Sequence, residues 1–203
     1  MLTTLSRTVE RVWIDEFADI RAYGSPELVG TIVGMGKPLG ENSGAALAVA
    51  LREVYVQPIA MIADRLGLAL DRIDHHIEQA MSPGGAEVAF GRVAPGTVGG
   101  VRIRFAGIVN GEPRVGIAIS WVVVDDLGPD WCITGGADTR WTIRVEGVPH
   151  LRCALAVTDA GDDGGGGAGV GPSLIATAMQ AVNMLPYLRG ANPGIHSRLT
   201  LPG

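Results

Sequence analysis

The chain has 203 residues, enough to bury a full core in one large domain. Its 47% hydrophobic content and mean hydropathy of +0.27 mark a folded protein rather than a disordered one. A net charge of −5 and a pI near 5.3 argue against nucleic acid or an anionic membrane as the main partner, and no apolar run reaches the ~20 residues of a spanning helix. Residues 1–7 lack the charged start and apolar middle of a signal peptide, so a cytoplasmic location is expected.

Taken in chain order, Val9–Ile20 has strand propensity, with Val12, Ile14 and Ala18 on one face and Trp13 and Phe17 on the other. Pro26 opens a short helix to about Gly34, and Gly34–Ser43 is a loop whose Ser43 caps the next element. Ala45–Leu66 is a long helical pattern with Pro58 inside it, and Gly67 stops it. From Asp71 the period becomes that of strands: Arg72–Met81, Glu87–Val93, Thr97–Val109, Arg114–Val124, Arg140–Glu146 and Leu151–Thr158. Asn110-Gly111, between two long runs, is a strong hairpin signal. A last helix, Pro172 to about Leu188, is expected to bury Leu174, Ala178, Ala181, Val182 and Leu185 against the sheet. The fold class is therefore α+β: a largely antiparallel, mixed sheet of about five or six strands with helices on one face.

The candidate chemistry is scattered. Gly164, Gly166 and Gly169 fit GxGxxG, yet a run of glycines meets that pattern by accident. Asp159, Asp162 and Asp163 put negative charge where a pyrophosphate would lie, and no Asp or Glu follows to hold a ribose. The stretch 159–171 is therefore read as a glycine-rich loop. His75-His76 sits in a strand, so the rings point to opposite faces, one toward solvent and the other toward the helix layer or a partner. His76 is the candidate proton carrier and Arg140 the candidate carboxylate holder. Trp121, Trp131 and Trp141, with Arg140 and Arg144, line a possible aromatic-walled pocket; core or interface packing is the plainer reading for such aromatics. Thr177 and Asn183 join Trp121 and Trp141 as candidate substrate contacts. Asp125-Asp126 and Asp130 fit turn chemistry. Cys132 and Cys153 read as free thiols, Lys37 is the sole lysine, and no metal motif or GxSxG elbow is present.

The order of these pieces resembles the C-terminal domain of the dihydrodipicolinate reductase-like family that includes 2,4-diaminopentanoate dehydrogenase. The residues that carry the resemblance are Leu5–Asp19, Tyr23–Leu28, Met35-Gly36, the Pro58 helix through Ala63–Leu68, and Val93–Val98. Thr177-Ala178, Ala181–Asn183, Pro186 and Pro193–Ile195 complete it, so it spans nearly the whole chain. The match departs from HHxxK, since Gln79 stands where that motif has lysine. The resemblance implies a single domain, 1–203, that supplies substrate walls and an oligomer interface, with residues 1–8 the remnant of a linking helix. It implies NAD(P)-dependent amine oxidation or imine reduction, with the nucleotide held by an N-terminal Rossmann domain that this sequence lacks. No cofactor is then bound by this chain alone; NAD(P) enters only with a separate Rossmann domain. The partners expected are a small-molecule ligand and a second copy, as homodimer or homotetramer, with Val101, Ile103, Phe105, Ile117 and Ile119 on the paired sheet face. Two other functions stay open: a cofactor-free cyclase, isomerase or lyase that uses the same pocket, and a non-catalytic dimerising or regulatory module.

Overall fold

The structure, a computed structural model, describes residues 2–40, 45–131, 139–157, 172–194 and 196. After a single 3₁₀ turn at Leu2–Leu5, strand β1 runs over Thr8–Asp19, so only the first residues are helical. A π-type helical turn follows at Pro26–Ile32, where Ser25 Oγ accepts the Leu28 N–H at 3.2 Å and Pro26 supplies its preset φ. Helix α1 spans Ala45–Arg65 and carries Pro58 within it. Strands β2 (Arg72–Met81), β5 (Val98–Val109), β6 (Glu112–Val122), β7 (Thr139–Val148) and β8 (Leu151–Val157) build the sheet with β1. Its order is β2-β5-β6-β1-β7-β8. β1 pairs in parallel with β6 and antiparallel with β7, while β2, β5 and β6 are antiparallel neighbours, so the sheet is mixed.

Two local features follow from backbone chemistry. Asn110 and Gly111 take φ of 52° and 81°, the left-handed pair that lets β5 fold tightly back as β6. The stretch expected as one strand over Glu87–Val93 is instead a separate hairpin, β3 (Ala86–Val88) against β4 (Gly91–Val93). Gly91 breaks the run with φ 136°, a conformation that side chains rarely adopt.

The core lies between α1 and one face of the sheet, called here the inner face. Leu47, Ile59 and Ala63 of α1 meet Val101, Ile103, Phe105, Val115, Ile117 and Ile119, all nearly inaccessible. Gly107 lets the helix approach: a Cβ there would stand 2.9 Å from both the Ile59 and Leu70 side chains. This placement corrects one expectation. Val101, Ile103, Phe105, Ile117 and Ile119 are at most 5% exposed beneath α1, so they are core and not a surface left for a second copy. Covering apolar area stabilises by roughly 25 cal/mol per Å², and the chain's own helix captures that gain.

The chain divides into two compact units, Met1–Ala156 and Val157–Gly203. The sequence reading treats 1–203 as one domain. In the second unit the expected single helix is split into α2 (Pro172–Val182) and α3 (Leu185–Arg189). Pro186 at the start of α3 has no N–H to continue α2, which explains the break. Leu174, Ala178, Ala181, Val182 and Leu185, expected to be buried, all carry exposed side chains. Among the described residues, no helix is long and apolar enough to cross a membrane.

Candidate functional site

Strand alternation fixes which side chains share a face. In register, Val12, Ile14, Glu16 and Ala18 of β1 lie beside Val115, Ile117, Ile119 and Trp121 of β6, and beside Val145, Ile143, Trp141 and Thr139 of β7. These are inner-face positions, so an acid, Glu16, occupies a site in an otherwise apolar row. Its carboxylate gathers indole donors from two strands, β6 and β7. Trp141 Nε1 donates to Oε2 at 3.1 Å, and Trp121 Nε1 donates to Oε1 at 3.4 Å. The Tyr55 phenol of α1 feels the Glu16 carboxylate, while its ring stacks on Phe105 with centroids 5.8 Å apart. Burial, and then the negative carboxylate beside it, push the Tyr55 phenol well above its ordinary value. All four side chains are half-buried, so the cluster lies at the accessible margin of the core.

Chemically, this is a carboxylate walled by aromatic rings. A carboxylate offers about four acceptor positions on its two oxygens, and the two indole donors leave about two open. His75 stands on the same face in β2, its ring tilted against Phe105 at 6.2 Å, and Gln79 further along accepts the Gly40 N–H at 3.0 Å. His75 and His76 thus point to opposite faces, as alternation requires.

The opposite, outer face is polar. Glu78 of β2 is its hub: it pairs with Arg104, lies 3.5 Å from Arg102 Nη1 and 3.7 Å from His76 Nε2. Arg102 also donates to Ser120 Oγ at 2.7 Å and lies 4.3 Å over the Trp131 ring; burial lowers its pKa. Asp15 and Arg144 form an ion pair at 2.9 Å, off the angle of a hydrogen bond. The guanidinium of Arg140 sits 5.7 Å over the Phe17 ring on this side.

The sequence-derived candidates are therefore divided. Trp121 and Trp141 meet at Glu16 on the inner face, whereas His76 and Arg140 stand on the outer face, on strands β2 and β7, which are not neighbours. Thr177 and Asn183 belong to the second unit: Thr177 is exposed on α2, and the Asn183 N–H donates to Met179 O at 2.9 Å. Glu16 and Tyr55 were not foreseen. A signal for Glu16 existed, since it continues the alternate positions Val12 and Ile14; Tyr55 gave none, because α1 is apolar around much of its surface.

Other candidates fall elsewhere. Arg21 grips Asp125 and also Asp19, at 2.6 Å, tying the end of β1 to the turn after β6; the hydrogen bond from Arg21 lowers the Asp125 pKa. Asp125 thus serves a clamp. A cleft of about 260 Å³ at the start of β1 is lined by Glu10, Arg11, Glu112, Arg114 and Glu146, with Arg11 paired to Glu146 at 3.2 Å and Arg114 donating to the Glu10 carbonyl. Lys37 is exposed and Cys153 is a free, half-buried thiol. Ser43, Cys132 and the glycine loop 159–171 lie outside the described residues. Among the described residues, no group of three His, Cys, Asp or Glu side chains is placed to hold a metal. Among the described residues, the sheet is antiparallel apart from the parallel pair β1/β6.

Comparison with known proteins agrees with this architecture. The family profile described as the 2,4-diaminopentanoate dehydrogenase C-terminal domain matches residues 1–203. An amine dehydrogenase from Streptomyces virginiae is 28% identical over 205 residues, spanning 100% of this chain and 55% of that protein. The solved structure of an amine dehydrogenase from Mycobacterium smegmatis has a TM-score of 0.65 at 19% identity, covering 100% of this chain and 54% of its own. At that identity the likeness speaks to the fold. This chain spans about half the length of these relatives.

Proposed function

The chain belongs to the 2,4-diaminopentanoate dehydrogenase C-terminal domain family, and from that we propose that it forms the substrate-binding half of an NAD(P)-dependent amine dehydrogenase. The observation that carries this is the family match over the whole chain. The indoles of Trp121 and Trp141 beside the Glu16 carboxylate offer apolar and polar contacts to a small molecule. In this proposal the nicotinamide nucleotide, which accepts the hydride, is held by residues outside those described. The chain's own part is to bind and orient the amine and to keep water from it. The setting is cytoplasmic, where the Cys153 thiol stays reduced.

Calorimetric titration of the purified chain with NADH and NADPH tests the division of labour. The expected result is no binding heat; tight binding of either nucleotide would refute it. The same proposal pairs the outer face with a second copy. That face combines the rings of Trp13 and Phe17 with small Gly116, Ala118 and Ser120 and with charges of both signs, a composition suited to a polar, self-complementary contact. Light scattering after size exclusion should give a dimer or tetramer mass, and a strict monomer would contradict this.

A cofactor-free lyase or isomerase is the second reading. Its support is the placement of the Tyr55 phenol near the Glu16 carboxylate, which puts an acid and a base in one cluster. Turnover of an amine or imine with no nucleotide present would select it.

A further inference from the structure

We infer that strand β2, at the edge of the sheet, is a docking site for β2 of a second copy of this chain, paired antiparallel about a two-fold axis at His75. The inference rests on the sheet edge and not on the dehydrogenase reading, and this contact is distinct from the face-to-face one proposed above.

The first argument is the backbone. β2 ends the order β2-β5-β6-β1-β7-β8, so one row of its N–H and C=O groups has no strand partner among the described residues. Arg72, Asp74, His75 and His76 are exposed along it. Toward its end the edge closes: the Gln79 side chain accepts the Gly40 N–H at 3.0 Å, and the register slips between Ala80 and Met81. Arg72–Glu78 is left open, and the middle residue of that stretch is His75.

The second argument is the sign of the charges. Arg72, Asp74, His76 and Glu78 share the outer side of β2, and basic and acidic groups alternate along it. With the axis at His75, Arg72 lies opposite Glu78 of the second copy, and Asp74 lies opposite its His76, whose ring N–H donates to a carboxylate. On the other side of the strand, Ile73 meets Ile77 and His75 meets its own copy. Moving the axis by one residue destroys this match. Placed at Asp74, it sets Asp74 on Asp74 and Arg72 on His76; placed at His76, it sets Asp74 on Glu78. A row of like charges, which guards an edge, repels in every register. These charges attract in the one register that also fills the open stretch. Within one chain they make only surface pairs, Arg72 with Asp74 at 3.0 Å and His76 with Glu78 at 3.7 Å, which exchange for cross-strand pairs at little cost. The opposite edge strand, β8, carries Arg152 and no acid to answer it. An isologous β2 contact also closes on two copies.

Disulfide trapping on the full chain, with Cys132 and Cys153 changed to serine, tests the register. A residue on the axis faces its own copy, with Cα atoms at the ~4.5–5.5 Å of directly opposed strand residues, a span that a disulfide bridges. His75→Cys alone should therefore cross-link to a dimer on oxidation, roughly tenfold or more faster than Glu53→Cys on the exposed part of α1, because docking raises the local thiol concentration. Asp74→Cys and His76→Cys should each link slowly alone and rapidly when mixed, since each position faces the other. Circular dichroism establishes that the variants fold; if H75C does not, the mixture of D74C with H76C decides. H75C that links no faster than the Glu53→Cys control, or a D74C and H76C mixture no faster than its separate parts, would overturn the inference.

Discussion

Glu16 and Tyr55 show how one polar pair is tolerated at a core margin. Removing the carboxylate would leave two indole N–H groups seeking partners, at about 1–3 kcal/mol for each group left buried and unsatisfied. The raised Tyr55 pKa has a consequence in alkali. The folded state holds the phenol proton more tightly than the unfolded chain, so stability is fully present below about pH 10 and is lost as pH rises above it. An ultraviolet titration should therefore show a phenol ionising later than free tyrosine. Tyr55→Phe should remove that late component and lessen the alkaline loss of stability; an unchanged titration would contradict the Tyr55 assignment. Legibility at this scale was uneven. Trp121 and Trp141 were readable as strand aromatics, but the register that brings both to Glu16 joins separate strands and was not. Glu16 continues the alternation of Val12 and Ile14, yet a lone acid in a strand ordinarily marks the solvent side, which masks that signal. His76 and Arg140 were chosen for their chemistry, and one sequence does not tell which face of a sheet a helix will cover.

The elements themselves were read more completely, because their signals are local. The Asn110-Gly111 turn, the ends of β2 and the Pro26 turn all depend on residues within a few positions. The parallel pairing of β1 with β6 was not readable, since it joins residues about a hundred positions apart and leaves no mark in periodicity. The same holds for the packing of α1, which relies on a bare backbone at Gly107. Adding a methyl there forces Ile59 or Leu70 away from the sheet. Gly107→Ala should cost about 1–3 kcal/mol, seen as a melting temperature lowered by several degrees. No change on melting would mean that α1 does not press on the sheet at this point. Tyr55, on the same helix, would then lose its reason for standing over Phe105.

At the scale of the molecule, the sheet separates two tasks. Among the described residues, the inner face joins an apolar core to the Glu16 carboxylate and its indole donors, and the outer face is a lattice of ion pairs around Glu78 and Asp15. Family membership places this chain with the C-terminal half of amine dehydrogenases, and it spans about half the length of the relatives it matches. The most direct measurement is calorimetric titration of the purified chain with NADPH, which asks whether this half carries its own nucleotide site. No binding heat is predicted; tight binding would contradict the account.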